Sequence, residues 1–402
     1  MPAFLTHWHI LIETARGSQD VGNELGSLII DATALRRRAH GWSPTPQSKP
    51  AGAVWNTGPL PEVDFRLPGS DISALAFLGA LAPDVMYYHR CYLHEKLTDT
   101  YFHVPPAESP EKRHPPQWSE LFHHSHTGDL PILFLEQVAL VPSPALRSQA
   151  LAFALGYISH IATDIALNPW INTLATRVPL RTMLGPRCSL EFLLDEYLAS
   201  TYFEHTRYSI FHQPWGGYIE PAAHNLSQPD TPTAQLLQLL ASAVEIYQLS
   251  ENQDATLAKD ILSGLQGLRQ FLNGRGKARW LALLGGQMKD RPDDILLLLN
   301  GTCEEVKTIT LEQILSYATH LSEHLCRLAV SYYIALRNHT TEASERSLRR
   351  AALIADLRNW DLYTGESNDE ENRGSAPSTY HNWTHFAQFW DDTTPGQVPT
   401  VR

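Results

Sequence analysis

The sequence predicts an all-α fold, and three observations carry that expectation. Apolar residues recur at three- and four-residue spacing through most of the long segments, and strand-like alternation is scarce. The third observation is a short stretch, LGYISHIATDIALNPWIN at 155–172, in which His160, Asp164 and Asn168 follow one another at four-residue steps. On a helix that step returns to the same face, so the three polar groups form a column among Leu, Ile and Ala. A buried column of this kind needs a partner, and a metal ion is one candidate.

Taken in order, residues 4–16 read as a helix and 20–35 as a second helical stretch. Pro and Gly break the chain from HGWSPTPQSKP to FRLPGS, which makes 40–70 a long loop of the kind used as a lid or binding element. Asp71 is placed to cap ISALAFLGALA, and Pro83 ends that helix. A second loop, 102–117, precedes the helical WSELFHHSHTGDLPILFLEQVAL. After a break at VPSPA comes the long apolar helix with the polar column, and then the amphipathic SLEFLLDEYLASTYFE. Further helices are expected over 232–275 and 310–358. The polar GESNDEENRGSAPS reads as a linker, and the aromatic TYHNWTHFAQFW as a tail that docks back on the body. These readings divide the chain into 1–228, a helical region 229–362, and a linker with tail 363–402.

A net charge of −12 argues against a surface built to follow nucleic-acid phosphates. Four cysteines, Cys91, Cys188, Cys303 and Cys326, lie far apart without a CxxC pair, so neither a disulfide framework nor a thiolate zinc site is indicated. Nineteen histidines are the compositional excess, and histidine is the commonest metal-ligating side chain. No apolar run reaches the roughly 18–20 residues that span a bilayer, and the start lacks the features of a secretory signal. A cytoplasmic protein is expected, with secretion and transient contact with a membrane surface left open.

His160 and Asp164 alone also fit a buried histidine bonded to an aspartate. Four motifs in order, FLTHWHI at the start, LGALAPDVMYYH at 78–89, FHHSHTGD at 122–129 and GYISHIATDIALNPW at 156–170, together resemble the zinc-dependent phospholipase C family. That all-helical fold is shared by bacterial phospholipases C and, more distantly, by S1/P1-type nucleases, and the resemblance covers about residues 1–205. It implies a phospholipase C/P1 nuclease-like domain with a helical C-terminal extension.

The resemblance also implies zinc ligands at His7, at Asp84, which would double as general base, at one histidine of FHHSH, and at His160, with Asp164 bridging two metals. His124 is preferred for the third position, with His123 beside it. The activity implied is hydrolysis of a phosphoester, foremost a phospholipid-type phosphodiester, by zinc-bound hydroxide. The pattern departs where the family continues with further histidines, because this chain has Asn168 and Arg187, although Glu191 is retained. Two zinc ions with a weak or absent third site are therefore expected. Arg187, paired with Glu191 or a substrate phosphate, and Asn168 are the substrate-binding candidates. The same departure keeps a second reading open, a non-catalytic metal-binding member of the fold with a binding or structural role.

Other polar residues have plainer readings. His9 is expected on a helix face, His89 and His94 as structural or supporting groups, His126 bonded locally or in solvent, and Asp129 as a helix cap. His320 and His324 are expected to be solvated, opposite an apolar stripe. His381 and His385 share a face without a recognisable site. Aromatic residues in loops 40–60 and 212–220 fit either an apolar or choline-like group or the core.

Overall fold

A computed structural model of the chain describes residues 4–20, 70–88, 118–177, 186–198, 232–247, 257–273, 311–338, 340–363 and 366–367. These residues are predominantly helical. The helices are α1 (Phe4–Asp20), α2 (Ser70–Leu81), α3 (Trp118–His124), α4 (Asp129–Leu140), α5 (Pro144–Arg177), α6 (Pro186–Leu198), α7 (Pro232–Ala243), α8 (Leu257–Asn273), α9 (Leu311–Arg337) and α10 (Ala343–Leu357). Short 3₁₀ turns occupy Val85–Tyr88 and Val244–Tyr247, and one small antiparallel ladder pairs β1 (Trp360–Asp361) with β2 (Glu366–Ser367). The second helical stretch at 20–35, the loops at 40–70, 102–117 and 212–220, the aromatic tail, and His89, His94, His381 and His385 lie outside the described residues.

Helix α5 organises the body. Proline stands at its first position, where no backbone donor is lost, and the Leu146 amide donates to Ser143 Oγ at 3.4 Å. The helix then runs 34 residues, through Pro169, with α2 along one side and α9 along another. Its segment Pro144–Asn172 is long and apolar enough to cross a membrane, contrary to the expectation from the sequence, because His160 and Asp164 are too few polar groups to interrupt it. Here that length is buried inside the fold and serves as a core helix.

The α2–α5 crossing is closer than side chains allow. A Cβ on Gly79 would stand 2.0 Å from the Phe153 carbonyl oxygen, and one on Gly156 would stand 2.0 Å from that of Ala76. Each helix therefore offers a glycine to the backbone of the other, and only hydrogen fits at both points. Backbone-to-backbone contact fixes the relative placement of the two helices that carry Ala80 and His160.

Helix α1 is buried along both its apolar and polar positions, Thr6, His7, His9 and Thr14 included. Polar groups in such a place need partners. Thr14 Oγ1 donates to Ser322 Oγ of α9 at 2.8 Å. The first turn is met by Asp195 of α6, whose carboxylate accepts from the amides of Leu5 and Thr6 at 3.2 and 3.0 Å and from Thr6 Oγ1 at 3.0 Å. A carboxylate at a helix N-terminus satisfies otherwise orphaned N–H groups and sits favourably in the helix dipole. Burial works against that charge and pushes the Asp195 carboxyl up to about 8.

Helix α2 starts at Ser70, one residue before the predicted cap, and ends at Leu81 ahead of Pro83. The turn that follows is closed by Asp84 N to Leu81 O and Tyr87 N to Asp84 O, both 2.9 Å. Asp129 is not a cap. The cap position of α4 is Gly128, and the amides of Gly128 and Asp129 both donate to Asn359 Oδ1, at 3.1 and 3.2 Å, from a segment 230 residues further along. Helices α7, α8 and α9 join the same hydrophobic core as the helices before residue 228.

Candidate metal centre

Four elements bring five side chains to one point. His7 comes from α1, Asp84 from the turn after α2, His123 from the last turn of α3, and His160 and Asp164 from consecutive turns of α5. All five are buried. His123 Nε2 lies 3.0 Å from Asp84 Oδ1 and 3.3 Å from Asp164 Oδ2, while His7 Nε2 lies 3.2 Å from Asp84 Oδ2 and 3.5 Å from Asp164 Oδ1. His160 Nε2 is 3.3 Å from Asp164 Oδ2 and 3.4 Å from His123 Nε2. Two donor groups result, His7 with His160 and Asp164, and Asp84 with His123 and His160; in each, the ligand atoms lie within 4.8 Å of one another.

The orientation of the rings matters as much as the distances. His160 Nδ1 donates to the Ala80 carbonyl at 2.9 Å, and His123 Nδ1 donates to the Ser119 carbonyl. Each bond leaves Nε2 aimed at the cluster, the arrangement by which a supporting carbonyl sets the tautomer of a ligating imidazole. His7 is stacked on His160, with ring centroids 3.9 Å apart and planes at 13°. Asp84 Oδ2 is buried with His7 Nε2 3.2 Å away as its nearest charged neighbour, in a poorly aligned contact that leaves room for a further cation. The donor set therefore fits a metal ion.

Protons alone would charge the cluster differently. Burial opposes charge on His7 and His123, yet hydrogen bonds to Asp84 and Asp164 outweigh it, raising His7 and pushing His123 up to about 10. Burial and the charge of His7 lower His160. Against their own burial, Asp84 and Asp164 are held well below the usual carboxylate range by the surrounding imidazoles. Two acids and the three rings therefore behave as one charge-balanced unit.

The structure brings together His7, Asp84, His123, His160 and Asp164, and leaves His124 out. His124, half-exposed, bonds through Nδ1 to Asp361 Oδ2 at 2.8 Å and lies 3.3 Å from Glu120, which together push it up to about 9. Between the two histidines, the helix phase puts His123 inward with Trp118, Ser119 and Phe122, which are buried. Glu120 and His124, also four apart, share the outer face. That pairing was a signal in the sequence that favoured His123.

Asn168, Arg187 and Glu191 form a second group beside the cluster. Arg187 Nε donates to Glu191 Oε1 at 3.0 Å and its terminal nitrogen donates to Asn168 Oδ1 at 3.2 Å. A guanidinium thus pairs with the buried Glu191 carboxylate and balances its charge. Arg187→His together with Asn168→His is expected to raise bound zinc by about one ion per chain, because imidazole replaces a group that cannot ligate. Elemental analysis of the double variant checks this, and an unchanged count would show that Glu191 is not part of a latent metal site.

Of the remaining histidines, His126 bonds locally to Asp129 at 3.1 Å, and His9 is buried in α1. His320 Nδ1 donates to the Ser316 carbonyl at 2.7 Å, and His324 meets Asp356 of α10 at 2.7 Å, so both take protein partners instead of being merely solvated. Sequence reasoning missed Asp195, four residues beyond Glu191 on the same helix, and it missed Tyr363. The Tyr363 ring stacks on His123 at 5.2 Å and 29°, lies 4.8 Å from that of His124, and has the Arg187 guanidinium 4.7 Å from its centroid. Comparison of the chain with protein-family models, curated proteins and solved structures finds no match.

Proposed function

We propose that this cluster is a zinc centre and that the protein is a metal-dependent hydrolase of phosphoesters, with phospholipid-type phosphodiesters as the substrate class. The observation that supports it best is the convergence of two imidazole Nε2 atoms, each with Nδ1 held by a backbone carbonyl, on the buried carboxylates of Asp84 and Asp164. Mixed imidazole and carboxylate donors suit zinc. Bound zinc supplies Lewis-acid stabilisation of a phosphoryl group and makes water more acidic. Asp84, with Oδ2 open to the cluster, is the group that takes the proton from the attacking water. Asp164 spans both donor groups, through Oδ1 towards His7 and Oδ2 towards His123 and His160. His160 belongs to both groups but has only Nε2 to give, since Nδ1 is bonded to Ala80. If two ions were bound, His7, His160 and Asp164 or Asp84, His123 and His160 would hold one of them, and the other would have one imidazole fewer.

A second reading, a non-catalytic metal or ion-pair centre, is favoured by the burial of all five donors, with the Tyr363 ring against His123. A panel of phosphodiesters and phospholipids, assayed with chelation and zinc restoration, separates the two. Turnover abolished by chelator, restored by zinc and lost in Asp84→Asn with the fold intact is the expected result. Bound zinc below about one per chain after metal-replete purification would overturn the metal centre itself. Stoichiometric zinc without turnover on any substrate would leave the structural reading.

A further inference from the structure

We infer that residues 359–363 form a strap that closes one side of the metal centre, with Tyr363 as its plug, and that exchange of metal and entry of a ligand require the strap to move. This rests on the metal-centre reading above. The strap is fastened by polar bonds at each of its five residues, to α3 and α5, which carry donors, and to the start of α4 with the turn before it. Asn359 caps α4 and its Nδ2 donates to Asp129 Oδ2 at 2.8 Å. Thr127 Oγ1 donates to the Trp360 carbonyl at 2.7 Å, and His124 pairs with Asp361. The Leu362 amide donates to the carbonyl of His123 itself at 2.8 Å. Asn168 and Asn172, one turn apart on α5, donate through Nδ2 to the carbonyls of Leu362 and Tyr363, each at 2.6 Å.

The plug lies against the chemistry. The Tyr363 ring stacks on His123 and has the Arg187 guanidinium over it, while its hydroxyl meets that of Tyr87, three residues after Asp84. Burial and the negative charge of Asp84 both push the Tyr363 phenol up, consistent with a neutral hydroxyl in the field of the donor set. Leu362 is the one fully buried apolar anchor, and Gly128 leaves room for the Arg358 carbonyl, which a Cβ would approach to 1.9 Å. The other fastenings are mostly hydrogen bonds, each weak in net terms because water replaces it on release. Movement of residues 362 and 363 would free the amides of Asn168 and Asn172 beside the Arg187 cation. Two neutral donors next to a guanidinium match the oxygens of a phosphoryl group, so the strap carbonyls stand where those oxygens would be held.

The test is the rate at which zinc leaves the full chain into excess chromogenic chelator. Tyr363→Ala is expected to release zinc at least about tenfold faster than wild type, since the half-buried ring that lies against His123 is removed, whereas Tyr363→Phe keeps the ring and stays near the wild-type rate. If Tyr363→Ala does not fold, Asn172→Leu decides, because it cuts only the bond to the Tyr363 carbonyl and is expected to speed release. Equal rates in wild type and the loosened variants would overturn the strap while leaving the metal centre standing. A wild-type chain that takes up no zinc would overturn the metal centre and the strap with it.

Discussion

Asp164→Asn is expected to lose its zinc under conditions in which the wild-type chain keeps it, with an affinity at least about 100-fold weaker, the upper end of what changes in supporting partners produce. The expectation follows from position. Asp164 lies 3.5 Å from His7 and 3.3 Å from both His123 and His160, whereas Asp84 comes no closer to His160 than 3.8 Å, and that through Nδ1. Asparagine keeps the shape and removes the charge. Thermal unfolding with and without chelator then separates the two accounts of the cluster. If zinc is held, a ligand at about 100 times its dissociation constant stabilises the fold by about 2.7 kcal/mol, so chelation lowers the wild-type melting temperature and leaves Asp164→Asn almost unchanged. If the cluster is a purely protein ion-pair network, Asp164→Asn itself costs about 3–5 kcal/mol and chelator affects neither protein. A wild-type melting temperature indifferent to chelator would therefore sink the zinc centre.

Gly156→Ala is expected to destabilise the protein by about 3 kcal/mol or more, a large effect for one methyl group. The methyl would meet the Ala76 carbonyl oxygen at 2.0 Å, and backbone on the facing helix cannot turn aside as a side chain does. The α2–α5 pair must open, and with it the bond from His160 Nδ1 to Ala80 O, four residues along α2 from the point of collision. Stability and zinc affinity are thus expected to fall together in this variant, measured by denaturant unfolding and by chelator competition. Loss of stability smaller than about 1 kcal/mol would mean that the two helices are less tightly apposed than described.

How much of this was legible in the sequence depends on the range of each interaction. The column of His160 and Asp164 could be read because helical spacing is local, and His7 and Asp84 followed from short motifs whose order carried the information. The choice between His123 and His124 turned on helix phase, which the Trp118, Phe122 spacing encodes weakly in a helix of seven residues. Asn168 stands out as a departure and the pairing of Arg187 with Glu191 is legible in their four-residue spacing, but the bonds of Asn168 to Arg187 and to Leu362 are not. Asp195 and Asn359 cap helices some 190 and 230 residues away, and no periodicity joins such partners. Tyr363 was assigned to the start of a polar linker for the same reason. Its role is defined by what surrounds it, and none of its ring partners is its neighbour in the chain.

The separation between donors and strap also sets an order in time. A ribosome completes His7, Asp84, His123, His160 and Asp164 well before it reaches Asn359. At about 5–20 residues per second, the nearly 200 residues between Asp164 and the strap take on the order of 10 to 40 seconds to make. Through that interval the nascent chain carries all five ligands without the segment that later covers them. A metal bound during that interval would need no opening of the finished fold, because Tyr363 comes to lie against His123 only afterwards.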